Sequence, residues 1–205
     1  KKYFKEYPFN VPPKSVRQID ITQLQGLMAV IDAFESTNIK ISDLNKNKVS
    51  VISSCALGLD KTTELAKRIR HWEIENVLKK LGRKTINFVV KHKEKFVEIT
   101  EDTGPGVLNN VIAGRISNEF DFKGKNFHVD ADLSSFACAI KIGILELRQK
   151  KSDIVVLVGF NESIDTRRVK TSRGDCCCFV LTTKKYAKNN RFEILSLIKN
   201  VRYSE

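Results

Sequence analysis

Residues 127–159, FHVDADLSSFACAIKIGILELRQKKSDIVVLVG, restrict the fold of this 205-residue chain more than any other stretch. Phe127 to Val129 has the apolar, β-prone character of a short strand, and Asp130 to Asp132 breaks it. Ser134 and Ser135 then offer side chains that start helices. Between 136 and 147 only Lys141 and Glu146 are charged, so the spacing predicts a helix that is apolar almost all round. A helix without a wide polar face is expected to be buried on more than one side. Residues 154–159, IVVLVG, form an unbroken aliphatic run of the kind found in a parallel strand covered on both faces. Strand, sharp turn, buried helix and buried strand together predict a βαβ unit.

The rest of the sequence supplies further elements for the same sheet. Residues 20–36 predict an amphipathic helix with Ile21, Leu24, Met28, Ile31 and Phe34 on its buried face. Residues 49–53, VSVIS, predict a strand, and 62–81 predict one helix that buries Leu65, Ile69, Trp72 and Leu78 and stops at Gly82. Residues 83–95 are less regular, with Phe88 to Val90 as a short strand, and 161–173 form a polar link. A hairpin follows, made of a strand over 175–182, a turn over 184–190 and a last strand over 192–198.

A hydrophobic content of 41% suits one domain with a real core. No run of about 18 apolar residues spans a bilayer, and no basic-then-apolar leader marks secretion. The chain opens on Lys1 and reads as a cytosolic piece of something longer, with no membrane partner. Five cysteines, three of them consecutive at 176–178, match neither a disulfide framework nor a zinc spacing, so no metal or other cofactor is expected. The net charge of +12 raises a nucleic-acid-binding module as one hypothesis. Its lysines, among them Lys46, Lys48, Lys150, Lys151, Lys184 and Lys185, look scattered along the sequence, so the expectation is a solubilising surface and no nucleic acid.

Other chemistry is thin. Thr103-Gly104-Pro105-Gly106 lacks the spacing of a phosphate-wrapping loop, Glu98, Glu101 and Asp102 read as a solvated loop, and no serine lies in G-x-S-x-G. His71, His92 and His128 read as surface or packing histidines. The turn before the apolar helix is different, because a helix N-terminus stabilises a thiolate or an oxyanion.

Val129-Asp130-Ala131-Asp132-Leu133-Ser134-Ser135 resembles the active-site turn of β-ketoacyl synthases, V-D-[TA]-A-C-[SA]-S. The likeness extends to Thr100-Glu101-Asp102-Thr103-Gly104-Pro105-Gly106, to the 110–127 segment, and to Pro8-Phe9-Asn10-Val11-Pro12-Pro13 with Asp20-Ile21-Thr22-Gln23-Leu24-Gln25, all in the family's order. It is similar in particular to the ketosynthases of polyunsaturated fatty acid synthases and iterative polyketide synthases. The resemblance implies an α/β, thiolase-like fold, with residues 1–205 as the N-terminal half of a layered αβαβα ketosynthase and the C-terminal half, which brings two catalytic histidines, absent.

Leu133 stands where the family has its nucleophilic cysteine, so the resemblance implies no catalytic residue at that position. The family's acyl-pocket gate has no counterpart in the short 161–173 link. The leading expectation is therefore a non-condensing, chain-length-factor-like subunit in fatty-acid or polyketide synthesis. It would work with an acyl carrier protein or an active ketosynthase, as a homodimer or pseudo-dimer joined through the strand at 126–130. The alternative is an active acyltransferase or condensing enzyme whose nucleophile is displaced to Ser134, Ser135 or Cys138.

Overall fold

A computed structural model describes residues 9–55, 60–80, 98–161 and 175–199. The expectations for Gly82, Phe88 to Val90, His92 and the 162–174 link lie outside the described residues. The chain divides into two compact units, one built on 21–57 and 109–205 with the first ten residues, the other on 11–20 and 58–108.

The larger unit is a four-stranded sheet in the order β2-β1-β3-β4, with β1 at Val49–Ser54, β2 at Asn126–Val129, β3 at Ile154–Asn161 and β4 at Asp175–Thr182. β1 runs parallel to both β2 and β3, whereas β4 is antiparallel to β3. The predicted βαβ unit is therefore present, and its crossover spans β1, which lies between its two strands. All six residues of β1 are buried, as a central strand covered on both faces requires.

Helices cover the two faces of this sheet. α1 (Ile21–Glu35) and α5 (Asn110–Glu119) lie on one, and α6 (Ser135–Arg148) lies on the other. Side chains alternate along a strand, so Ile52, Leu157 and Val155 point to α6 and pack with its Ala139 and Leu147. Gly143 lets α6 approach Val155, and a Cβ at Gly159 would collide with the Phe136 ring, which itself packs on Phe179 with centroids 5.6 Å apart. The α6 helix does not bury every side. Leu147 is covered, Ile140, Ile142 and Ile144 are half-buried, and Leu145 is 43% exposed.

Three expectations for this unit need correction. The buried face of α1 is Gln23, Leu24, Leu27, Val30 and Phe34, while Ile21 is exposed and Met28 and Ile31 are half-buried. The helix is apolar on several sides, and Gly26 decides between them because it lets Phe160, Ile112 and Ile116 come close. Residues 184–190 are not a plain turn but contain helix α7 (Lys184–Asn189), capped by Thr183, whose hydroxyl accepts the Tyr186 N–H at 3.2 Å. Residues 192–198 form no strand. They are largely exposed and hold to the unit through Asn38, which donates to Arg191 O and accepts from Glu193 N. A strand needs a paired strand for its ladder, and among the described residues none pairs with 192–198.

The smaller unit contains α2 (Asp60–Ile69), α3 (His71–Lys80) and the single turn α4 (Thr103–Gly106). Gln18 ties it together, donating to Glu98 O at 2.8 Å and accepting from Thr103 Oγ1 at 2.9 Å. Asp102 is not merely a solvated acid, since its carboxylate accepts from Ser15 Oγ at 2.6 Å. The single helix expected over 62–81 is broken at Arg70. A 3.6-residue period counted across that break does not follow one face, and Ile69 and Trp72, expected to be buried, are 56% and 60% exposed. His71 is the buried residue there, 3.2 Å from Glu75 Oε1 one helical turn on.

Candidate functional site

The carboxyl ends of parallel strands are where α/β sheets gather their chemistry. Here β1 ends at Ser54 and Cys55, and β2 ends at Val129, from which the chain turns through 130–134 into α6. Asp130 Oδ1 accepts the Asp132 N–H at 3.3 Å. Asp132 takes the left-handed conformation with φ of 50°, a region where Asp is one of the few tolerated side chains. The next residue, Leu133, is thereby lifted to the apex of the turn and is 97% exposed.

The candidate nucleophiles are placed very differently from one another. The Ser135 hydroxyl is buried inside the turn, donating to Asp132 O at 2.6 Å and accepting the Ala131 N–H at 2.8 Å. Both of its roles are structural, and it holds the turn closed. Ser134 is exposed at the N-cap position, and its side chain makes no cap hydrogen bond. Cys138 is half-buried one helical turn further in, with its N–H on Ser134 O at 2.9 Å. Leu133 has no lone pair to offer. The carboxylates of Asp130 and Asp132 flank it, so negative charge opposes the pull of the helix N-terminus on any anion formed there.

A hydrogen-bonded set that the sequence did not disclose lies beside this turn. Ser53 and His128 are register partners, and Ser53 Oγ is 2.9 Å from His128 Nδ1. His128 Nε2 lies 3.3 Å from Cys55 O and 3.8 Å from Cys55 Sγ. A carbonyl only accepts, so Nε2 carries a proton, and in the neutral ring Nδ1 accepts from Ser53, which leaves both nitrogens engaged. Burial holds the His128 pKa below the ordinary histidine value, against the opposing pull of the Cys55 carbonyl and the Asp130 charge. Ile52 faces α6, so its neighbour Ser53 and the imidazole paired with it lie on the opposite face of the sheet. Only the parallel register makes this set visible, because 75 residues separate Ser53 from His128.

A stability test follows from that shift. A depressed folded pKa means that the unfolded chain takes up the proton first, so stability falls as pH drops through about 6.5 and levels off below the folded value. The His128→Gln variant should lose this component, read as urea midpoints compared at about pH 7.5 and about pH 5. An unchanged pH dependence in the variant would assign the effect to other groups.

Cysteines elsewhere offer little nucleophilicity. Burial pushes the Cys176 thiol up to about 12 and the Cys178 thiol up as well, so both stay protonated at neutral pH. Among the described residues no group of three or more His, Cys, Asp or Glu side chains is arranged to hold a metal ion.

Comparison with known proteins places this geometry. The family model of the β-ketoacyl synthase N-terminal domain matches residues 1–173. The chain belongs to the β-ketoacyl synthase family. A polyunsaturated fatty acid synthase polypeptide from Thraustochytrium sp. is 31% identical over 140 residues, 67% of this chain and 5% of that protein. Probable polyketide synthase 28 of Dictyostelium discoideum is 33% identical over 85 residues, 42% of this chain and 3% of that protein. The chain thus spans only a small fraction of these relatives, and it is a ketosynthase-like domain of the kind found in fatty acid or polyketide synthases.

Solved ketosynthases share the thiolase-like α/β fold. A ketosynthase from module 6 of the bacillaene synthase of Bacillus subtilis superposes with a TM-score of 0.61 at 17% identity, covering 90% of this chain and 28% of that one. A type II polyketide ketosynthase complex, with its acyl-carrier protein and a bound hexaketide, gives 0.63 at 12% identity, covering 88% of this chain and 52% of that one. Among the described residues no helix of this ketosynthase-like domain is long and apolar enough to cross a membrane.

Proposed function

We propose that this domain is a non-condensing ketosynthase homologue that acts in cytosolic fatty-acid or polyketide synthesis by pairing with an active ketosynthase or a carrier protein. The observation that carries the proposal is Leu133, the exposed apex of the turn that matches the family's active-site motif, where an acyl thioester needs a sulfur. The chemistry around it agrees: Ser135 is committed to the turn, and His128 is committed to Ser53 and Cys55.

Two surfaces support the pairing. β2 is an edge strand bonded to β1 alone among the described strands, so its outer backbone groups are available for sheet continuation across a two-fold axis. The incompletely covered side of α6, with Leu145 and the half-buried Ile140 and Ile144, suits a further layer such as the second half of the family fold. One structural neighbour is itself captured with its acyl-carrier protein.

Light scattering and affinity purification from the native host test the association. The domain should be found as a dimer or bound to a ketosynthase. A monomer at high concentration, with no ketosynthase co-purifying, would count against pairing.

A further inference from the structure

Residues 193–199 read Glu-Ile-Leu-Ser-Leu-Ile-Lys, a pattern that is the same from either end except that an acid at one end answers a base at the other. Ser196 is its centre, Leu195 and Leu197 flank it, Ile194 and Ile198 come next, and Glu193 and Lys199 close it. Every residue of the stretch is exposed, Leu195 to 70%. Ile194, Leu195, Leu197 and Ile198 thus leave an apolar strip that no described residue covers.

The backbone of the segment is engaged on one side only. Asn38 accepts the Glu193 N–H at 3.1 Å and donates to Arg191 O at 3.0 Å. In a strand the N–H and C=O of one residue share an edge, and successive residues alternate between the two edges. The edge of Glu193 therefore faces the unit that carries Asn38, and in strand conformation Leu195, Leu197 and Lys199 share it. Ile194, Ser196 and Ile198 turn their backbone groups to the opposite edge, where they make no backbone hydrogen bond among the described residues. No residue from 192 to 199 has a positive φ, so strand conformation is open to all of them.

We propose that 193–199 pairs antiparallel with the same segment of a second copy of this chain, across a two-fold axis at Ser196. In that register Ile194 opposes Ile198 of the second copy, Leu195 opposes Leu197, and Glu193 opposes Lys199, on both sides of the axis. The residues that exchange backbone bonds are then Ile194, Ser196 and Ile198, the ones whose groups lie on the edge away from Asn38. Moving the axis to Leu195 or Leu197 would set Ser196 against an isoleucine, and Glu193 or Lys199 against a leucine, so side-chain chemistry selects Ser196.

A contact of this kind closes on itself and stops at the dimer. Two short strands bury less than the roughly 1,000 Å² that a stable interface clears, so the dissociation constant is expected on the order of 0.1 mM. This contact is separate from the pairing proposed for β2 and does not depend on it.

Sedimentation equilibrium of the 205-residue chain tests the contact. Glu193→Lys and Lys199→Glu, each alone, put like charges opposite one another at both ends of the pairing and should weaken self-association about tenfold. An equimolar mixture of the two variants should recover the affinity, because each then meets the opposite charge in the other. The double exchange Glu193→Lys/Lys199→Glu should recover it as well. Ser196→Pro removes the central N–H and should abolish the dimer, with circular dichroism verifying the fold. An unaltered chain that stays monomeric at roughly 1 mM would overturn the proposal. Single variants that associate as the unaltered chain does would also overturn it and move the contact to another edge, β2 included. Losses that the mixture does not repair would show that Glu193 and Lys199 do not meet, which overturns the register and the proposal with it.

Discussion

A Leu133→Cys variant is expected to gain an alkylatable thiol and no condensing activity. The apex is 97% exposed, so a cysteine there is reachable by any small electrophile. The first turn of α6 would lower its pKa, whereas the flanking Asp130 and Asp132 carboxylates would raise it. The one described histidine near the turn, His128, has both nitrogens engaged and lies on the other face of the sheet from α6. Groups that catalyse as a unit are strongly non-additive, so restoring one member recovers almost none of a rate enhancement that reaches roughly a millionfold in full constellations. Iodoacetamide kinetics against pH should give a midpoint near or above about 8.5, the value for an ordinary thiol. A midpoint below about 7, accompanied by 3-oxoacyl product, would mean that the catalytic surroundings are intact.

The second large effect concerns the core. Ile52 is fully buried in the central strand, between Phe127 of β2 and Leu157 of β3 in register, and faces α6 with Ala139 and Leu147. Ile52→Ala removes most of a side chain that rigid strands on both sides cannot collapse to replace. It should cost about 2–5 kcal/mol, a large part of the ~5–15 kcal/mol that holds a typical domain together. Urea unfolding should show a lower midpoint with an unchanged slope. Ile69→Ala should change stability by less than about 0.5 kcal/mol, because Ile69 is exposed although its periodicity marks it as core. A loss below about 1 kcal/mol for Ile52→Ala would contradict the packing described for this face.

These two isoleucines show where sequence reading works. Apolar runs that lie wholly within one element, such as 154–159 and 136–147, state the type of that element, and with 127–129 the predicted strand, helix and strand are present as β2, α6 and β3, although α6 leaves one side incompletely covered. Patterns that cross an unseen break mislead, as at Arg70, where a new helix starts on a new phase. The α1 face failed for another reason. Several stripes of that helix are apolar, and the choice among them rests on the small Gly26 meeting Phe160 from a strand 134 positions later.

The candidate site was legible to the same limited degree. The turn motif is continuous in sequence, so Leu133, Ser134 and Ser135 could be singled out directly. What separates them is tertiary: the positive φ at Asp132 exposes Leu133, and the bonds to Ala131 and Asp132 enclose Ser135. The Ser53–His128–Cys55 set depends on parallel strand register. Periodicity within one segment carries no information about that register.

The central claim is that this turn does not accept an acyl group. Intact-protein mass spectrometry of the unaltered chain, after incubation with acyl-CoA and with acyl-loaded carrier protein, tests it most directly. The account predicts an unchanged mass and unmodified Ser134, Ser135 and Cys138 in peptide maps. A stoichiometric acyl adduct on any of the three would contradict it and make the domain a condensing or acyl-transferring enzyme with a displaced nucleophile.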